Sequence, residues 1–345
     1  MRREIFSFKL CMALLVILLL LTGILSMAWG QIDISLETAA AFLCQTLGLP
    51  VLCDVPVSAE QQAVLLHIRL SRTLVGMLVG AGLAASGAVM QGLFSNPLAD
   101  PGIIGVSSGA SLGAVIAIAF GFSEFSPFAM PALALCGAFG AVTLTVGLAM
   151  RHGKVPVMTL LLSGVVVGML LAAVTAGILT VVNEQKIQQY LFWTIGGLDY
   201  RRWEHVMIGM GPVLGGILIM LLMSRHLNIL VLGDVEARAV GMPVAKYRLG
   251  FLALAAFTTS AGVCISGNIG FVGLVVPHII RMLIGPDHRK LLPASAVAGA
   301  VFLVFCDALG RIVAPPGEVR VGIMTALVGT PYFLWLLRRA HNVVH

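Results

Sequence analysis

Charge is what this chain has least of. Asp, Glu, Lys and Arg make up 10% of its 345 residues, against 59% hydrophobic residues, and mean hydropathy is +1.02. Ordinary soluble domains carry roughly 25% charged residues. A composition this poor in charge excludes a water-soluble globular fold and reads as a polytopic membrane protein. No polar stretch is long enough to fold as a separate soluble domain. The net charge of +6 is therefore not a nucleic-acid signal, because in membrane proteins the distribution of Lys and Arg among loops carries the information.

Catalytic and metal-binding motifs are missing as well. There is no GxxxxGK[ST] phosphate loop, so the chain has no such device for holding ATP. No HExxH occurs, and no His/Cys group has structural metal spacing. The reading is a chain that is not an enzyme and that holds no cofactor and no metal. Carboxylates inside the apolar segments reduce to Asp100 and Asp307. A proton- or sodium-coupled carrier generally needs ionisable groups or coordinating carbonyls near the midplane. Their scarcity points to energy supplied by a partner on the cytoplasmic side. A self-sufficient secondary carrier is the weaker alternative.

Crossing a bilayer core of roughly 30 Å takes about 20 apolar residues. Ten segments qualify: 10–30, 64–90, 98–120, 129–150, 157–182, 205–224, 247–267, 271–285, 291–312 and 321–338. The expected fold class is all-α, a single transmembrane domain over residues 1–345. With ten spans and the N-terminus inside, fourteen Lys and Arg face the cytoplasm and seven face outward, in line with the positive-inside rule. Both termini are then cytoplasmic. Ser26-Met27-Ala28 resembles a signal-peptidase site, and cleavage there would leave nine spans. The preceding run of about 20 apolar residues exceeds the 7–15 of a signal core, so it is read as a retained helix.

Within this frame, SGAVMQGLFSNPLADPGIIGVSSGA (86–110) joins two apolar segments through a Gly, Pro and Asn hinge. Irregular backbone at membrane depth is tolerated only where protein covers it or a cavity adjoins it. Gly87, Gln91, Asn96, Pro97 and Asp100 are therefore candidate pathway or hinge residues. Gly267 and Asn268, in SAGVCISGNIGFVGLVVPHIIRM, are their counterparts in a second interrupted stretch. In the ten-span topology the two stretches run in opposite directions, the pattern of inverted-repeat transporters; chance similarity of Gly-rich helices is the competing reading. Segment 31–63 is expected to carry a short amphipathic helix after Ser35. It also holds Cys44 and Cys53, for which a disulfide and free thiols both stay open, since sequence separation alone fixes no geometry.

The loop 224–248 reads as a docking element. After Gly233, residues Leu230, Leu232, Val235, Ala239 and Val240 can share one apolar side of a short helix. Asp234 and Glu236 sit at its N-terminal end, where negative charge is favourable, and Gly241 and Pro243 stop it. The bland alternative is an ordinary interfacial helix.

These stretches, with RLSRTLVGMLVGAGLAASG (69–87), LNILVLGDVEARAVGM (227–242), GNIGFVGLVVPHIIRMLIGPDHRKLLPASAVAGA (267–300) and GIMTALVGTPYFLWLL (322–337), resemble the FecCD-type permease subunits of ATP-driven importers for iron-siderophores, haem and cobalamin. The resemblance covers nearly all of the chain beyond residue 60. It implies a cobalamin-importer-like permease fold and a homodimer in the bacterial inner membrane, with the pathway on the two-fold axis. It also implies two ATP-binding cassette ATPase subunits and a periplasmic substrate-binding protein, and no nucleic acid. The loop 227–242 becomes the coupling element, with Leu230, Gly233, Asp234, Ala237 and Gly241 as its candidate residues. Arg69, Arg72 and Arg311 become the candidate docking charges for the binding protein, the first two read as sharing one helical face; snorkelling anchors are the alternative. Two departures stand out near the outer mouth: Ser71 in RLSR and Arg320 in GEVRVG, where the family often has Pro. GLFSNPLADPGIIGVSSGA and FWTIGGLDYRRW (192–203) look most like haem permeases, so haem is the expected cargo, with a siderophore or cobalamin as alternatives. His67, His205 and His278 are read as structural rather than as iron ligands.

Overall fold

The computed structural model describes residues 6–32, 34–46, 48, 55–150 and 155–341, with the backbone alone for 335–337 and 339–341. Cys53 lies outside the described residues, and with it the question of its pairing to Cys44. The described residues are helical, without strands.

The helices follow from apolar runs separated by Gly, Pro and polar punctuation. They are α1 (Phe8–Ala28), α2 (Leu36–Thr46), α3 (Ala59–Leu93), α4 (Val106–Ala119), α5 (Ala129–Ala149), α6 (Val157–Leu179), α7 (Glu184–Ile195) and α8 (Trp203–Leu222). After these come α9 (Ser224–Val231), α10 (Asp234–Ala239), α11 (Val244–Ser266), α12 (Val272–Ile284), α13 (His288–Val313) and α14 (Val321–His341). Seven described helices are long and apolar enough to cross a membrane, and α4, α12 and the first part of α14 are shorter apolar helices. Together they match the ten segments expected from the sequence. The expected helix after Ser35 is α2, whose Ala39 and Phe42 pack against Met27 and Leu65.

The centre of the molecule is α3. It packs most extensively against α13 and then against α11, and its 18-residue apolar window is 78% buried. Membrane helices cannot rely on a hydrophobic drive against lipid and associate through close approach of small residues. At Gly80 a Cβ would strike the Gly299 carbonyl, and at Gly299 it would strike that of Gly80. By contrast α6 is largely uncovered, with Leu162, Val166 and Met169 exposed. That is the composition expected of a surface that meets lipid or another apolar chain.

Helix α3 runs from an end formed by residues 196–202 and 314–320, here the mouth end, to an end formed by residues 223–243, the loop end. At 1.5 Å per residue, the 14 residues of α4 and the 13 of α12 reach about 20 Å, too little for a bilayer core of about 30 Å. Both begin inside the molecule.

Candidate functional site

Three places carry polar side chains into an otherwise apolar body. The first is the junction where the two short helices start. Asp100 caps the turn Pro101–Ile104, its Oδ1 accepting from the Gly102 N–H at 2.7 Å. Gly105, at φ +93°, then turns the chain into α4. On the opposite side, Gly267 at φ +76° ends α11 and residues 268–271 lead to α12. The two breaks meet: Ser107 Oγ donates to Asn268 Oδ1 at 3.1 Å. A Cβ at Gly87 would strike the Gly273 carbonyl, and one at Gly273 would lie 2.9 Å from Asp100 Oδ2. Gln91 closes the junction. Its amide nitrogen donates to the Leu274 carbonyl at 3.0 Å, and its Oε1 accepts from Arg281 at 2.6 Å. Thus Gly87, Gln91, Asp100, Gly267 and Asn268 are gathered in one neighbourhood. Asn96 and Pro97 are not part of it. They are exposed in the turn after α3, where Asn96 Oδ1 accepts from the Leu98 N–H at 2.9 Å.

The mouth end holds the second cluster, in which the three arginines are drawn inward. Arg69, Arg72 and Arg311 are 5%, 9% and 4% exposed. Arg69 donates to the carbonyls of Met27 and Ala28, each at 2.6 Å, and to that of Ile32. Arg72 grips Asp307 through Nε and Nη2, the latter at 2.8 Å, and reaches Glu318 at 2.8 Å. Arg311 pairs with the same Asp307 at 3.2 Å and donates to the Ser26 and Trp29 carbonyls, each at 2.9 Å. Arg69 thus reaches backbone carbonyls, whereas Arg72 reaches carboxylates. Residues Leu65–Leu70 form a π-helical turn, whose wider winding turns the two guanidiniums to different neighbours. Ser71 uses its hydroxyl across the same region, with the His67 carbonyl at 2.9 Å and the Arg201 carbonyl at 3.0 Å as acceptors.

Around this cluster lies a cavity of about 890 Å³ lined by Arg72, Asp199, Arg201, Arg202, Glu318 and Arg320 among others. Arg320 pairs with Asp199 at 3.2 Å, donates to the Phe192 carbonyl at 2.7 Å and covers the Phe192 ring at 4.5 Å. The three histidines are scattered. His67 lines this cavity, His205 sits 3.3 Å from Arg201, and His278 packs edge-on to Tyr332.

The third place is the loop end. Gly233 at φ +121° separates α9 from α10, and Gly241 at φ +79° follows α10. Asp234 pairs with Arg248 at 2.6 Å, which fixes α10 to the start of α11. Leu230 and Ala237, expected at the partner-facing surface, are instead buried, at 6% and 0% exposure. They anchor the element. Leu232, Val235 and Val240, each at least 69% exposed, stay outside beside Glu236 and Arg238. Asn228 of α9 latches the platform to α13: it donates to Asp287 at 2.7 Å and accepts from the His288 N–H at 2.9 Å. Arg289 and Asn228 hold the Asp287 carboxyl well below the usual carboxylate range.

Sequence similarity agrees with this architecture. Residues 18–339 match the FecCD transport family. The chain belongs to that family. A cobalamin import system permease protein, BtuC, of Halobacterium salinarum is 44% identical over 289 residues, covering 84% of this chain and 76% of that protein. A hemin transport system permease protein, HmuU, of Yersinia pestis is 38% identical over 340 residues, covering 96% of each. A solved structure described as an inward-facing metal-chelate type ABC transporter superposes with a TM-score of 0.84 at 32% identity. It covers 96% of this chain and 99% of that one. The chain is thus a membrane-spanning permease component of an ABC importer, a class in which ATP hydrolysis resides in a separate subunit.

Sequence reasoning missed several members of these clusters. Asp199 and Glu318 lie in loops, where an acid is the bland default, and nothing local ties them to Arg72. Ser107 looks like an ordinary small helix residue. The signal that could have found Asp199 is its place between Gly197 and Arg201-Arg202, a charged knot in a chain with little charge to spare.

Proposed function

We propose that this chain is the transmembrane subunit of an importer that moves an iron chelate, haem, from periplasm to cytoplasm. It works as a homodimer with two ATPase subunits and a periplasmic binding protein. Both termini and the loop end face the cytoplasm, in the bacterial inner membrane. The observation that carries the reading is the loop-end platform: Gly233, Asp234, Ala237 and Gly241 shape and anchor a short helix that leaves Leu232, Val235 and Val240 for a partner's cleft. A permease without its own ATP site needs such a contact to receive work.

The mouth end receives the binding protein. Arg69 and Arg311 shape this face from within, while Arg72, Arg201, Arg202 and Arg320 line a cavity that an acidic side chain can enter. The haem reading is supported by a hemin permease matched over nearly the full length of both chains. The cobalamin reading is favoured by the higher identity to a cobalamin permease over a shorter span.

The test is uptake into proteoliposomes holding this chain and its ATPase, with ATP inside and a haem-loaded binding protein outside. Haem accumulation that needs both ATP and the binding protein supports the reading. Uptake of cyanocobalamin or a ferric siderophore in its place keeps the mechanism and replaces the cargo. Uptake without ATP overturns the mechanism in favour of a self-sufficient carrier.

A further inference from the structure

Beside the junction, on its mouth side, lies a recess that shares the Ser107–Asn268 contact with it. It encloses about 300 Å³ between α4, α6 and α7, and its polar lining is Ser107, Ser108 and Ser111 of α4, Thr175 of α6, Tyr190 of α7 and Asn268. No charged side chain reaches it.

The lining is neutral and can donate, since each hydroxyl carries one donor hydrogen and the Asn268 amide adds two more. Ser107 donates to Asn268 Oδ1 at 3.1 Å, which occupies the amide oxygen and leaves the amide NH₂ to donate elsewhere. Thr175 is 5% exposed and its hydroxyl has no partner. At membrane depth an unpaired buried hydroxyl is costly, because no water is there to satisfy it. Helix α4 starts at Gly105 with no side-chain cap. The N–H groups of its first turn, at Ser107 and Ser108, therefore add the partial positive charge of a helix N-terminus.

We propose that this recess is a subsite for an oxygen-bearing side arm of the transported chelate, a carboxylate or amide carbonyl, and that it contributes to cargo choice. The inference rests on the import reading above. The volume is at the bottom of the range for small-ligand pockets, roughly 300–1,000 Å³, so it takes an arm while the body of the chelate stays outside. A site built to hydrogen-bond an oxygen discriminates more strongly than an apolar pocket, because its donors are left unpaired by a cargo lacking that group.

Thr175 supplies the test, since Thr175→Val keeps the shape without the hydroxyl and Thr175→Ser keeps the hydroxyl without the methyl. Uptake is measured in the reconstituted importer with hemin, cyanocobalamin and ferrichrome, each on its own binding protein. For whichever probe the wild-type importer moves, Thr175→Val is expected to lower uptake about three- to tenfold, the worth of one hydrogen bond. Thr175→Ser should transport as wild type. Loss with hemin assigns a carboxylate arm, and loss with cyanocobalamin assigns an amide arm. Equal transport by all three proteins means that the recess holds only water and overturns the inference alone. A larger loss for Thr175→Ser than for Thr175→Val marks a packing role and does the same. A wild-type importer that moves none of the probes overturns the proposed function, and the subsite with it.

Discussion

The two ends of the molecule use their few charges in opposite ways. At the mouth end Arg69, Arg72 and Arg311 point inward, onto carbonyls and onto Asp307 and Glu318. At the loop end Asp234, Arg248, Asn228 and Asp287 hold a short helix from behind, and apolar side chains form its outward surface. The difference bears on how each end meets a partner. The mouth presents a shaped cavity in which Arg72 and Arg320 are already paired with carboxylates, so a partner must enter it to reach them. The loop end presents a small apolar knob on a fixed stem, which an ATPase groove can grip without disturbing the bundle.

The strongest way to break the comparison is to remove the hub of the mouth cluster. Asp307 balances both Arg72 and Arg311 at 3% side-chain exposure. Breaking a buried ion pair on one side leaves an uncompensated charge and costs about 3–5 kcal/mol. Asp307→Asn is expected to show a large fall in the unfolding temperature of the detergent-purified protein. Replacing the whole buried group, Asp307→Leu with Arg72→Met and Arg311→Met, should recover much of it, because apolar replacement of a buried ion pair or triad is often neutral. An unchanged melting profile for Asp307→Asn would mean that packing, not charge, holds the mouth.

Next in size is Gly87, where α3 and α12 touch backbone to backbone. Gly87→Val forces the helices apart, and overpacking of this kind costs typically 1–3 kcal/mol. The same variant should disturb the junction at Asp100 and lower transport. If it folds and transports as wild type, the close approach is not needed by the pathway.

How much of this was legible beforehand depended on whether the cue was local. Apolar run length gave ten segments and marked α4 and α12 as interrupted, because Pro and Gly act where they stand. Gly87, Gln91, Asp100, Gly267 and Asn268 were found as breaks in two separate stretches, and the fold joins them. The contacts of the arginines were not legible, for a physical reason. Regular helical spacing puts residues three apart on one face, and a π turn at Leu65–Leu70 removes that regularity without an obvious sequence mark. Their partners, moreover, are the carbonyls of Met27, Ala28 and Trp29 and the acid Asp307, which no spacing rule connects. At the loop, apolarity alone could not separate Ala237 and Leu230, which anchor, from Val235 and Val240, which protrude.

That last distinction can be sharpened directly. Exposed substitutions away from buried features usually change stability by about 0.5 kcal/mol or less. Val235→Asp with Val240→Asp should therefore leave the melting temperature near wild type while abolishing ATP-driven uptake and ligand-stimulated ATPase. Ala237→Trp should do the reverse in kind, lowering stability first, because position 237 has no room. Equal melting losses for both variants would show that the knob is part of the fold and not a partner surface.

The smallest effect concerns Asp287, which ties α9 to the start of α13. Its carboxylate accepts from the Arg289 guanidinium at 2.7 Å, from the Asn228 amide at 2.7 Å and from the Arg289 N–H at 3.0 Å. The Arg289 contact is the main reason that its proton affinity is depressed, with partial burial opposing. A depressed folded-state pKa contributes stability that is complete above the unfolded value of about 3.9. It is lost as pH falls through the lower folded value. The melting-temperature difference between wild type and Asp287→Ala should accordingly be flat from about pH 8 to 5 and shrink below about pH 4. Its main partner, Arg289, is exposed, so the difference should be modest and reduced by salt. A difference that widens as pH falls would reverse the sign and remove Asp287 as the latch between the knob and the bundle.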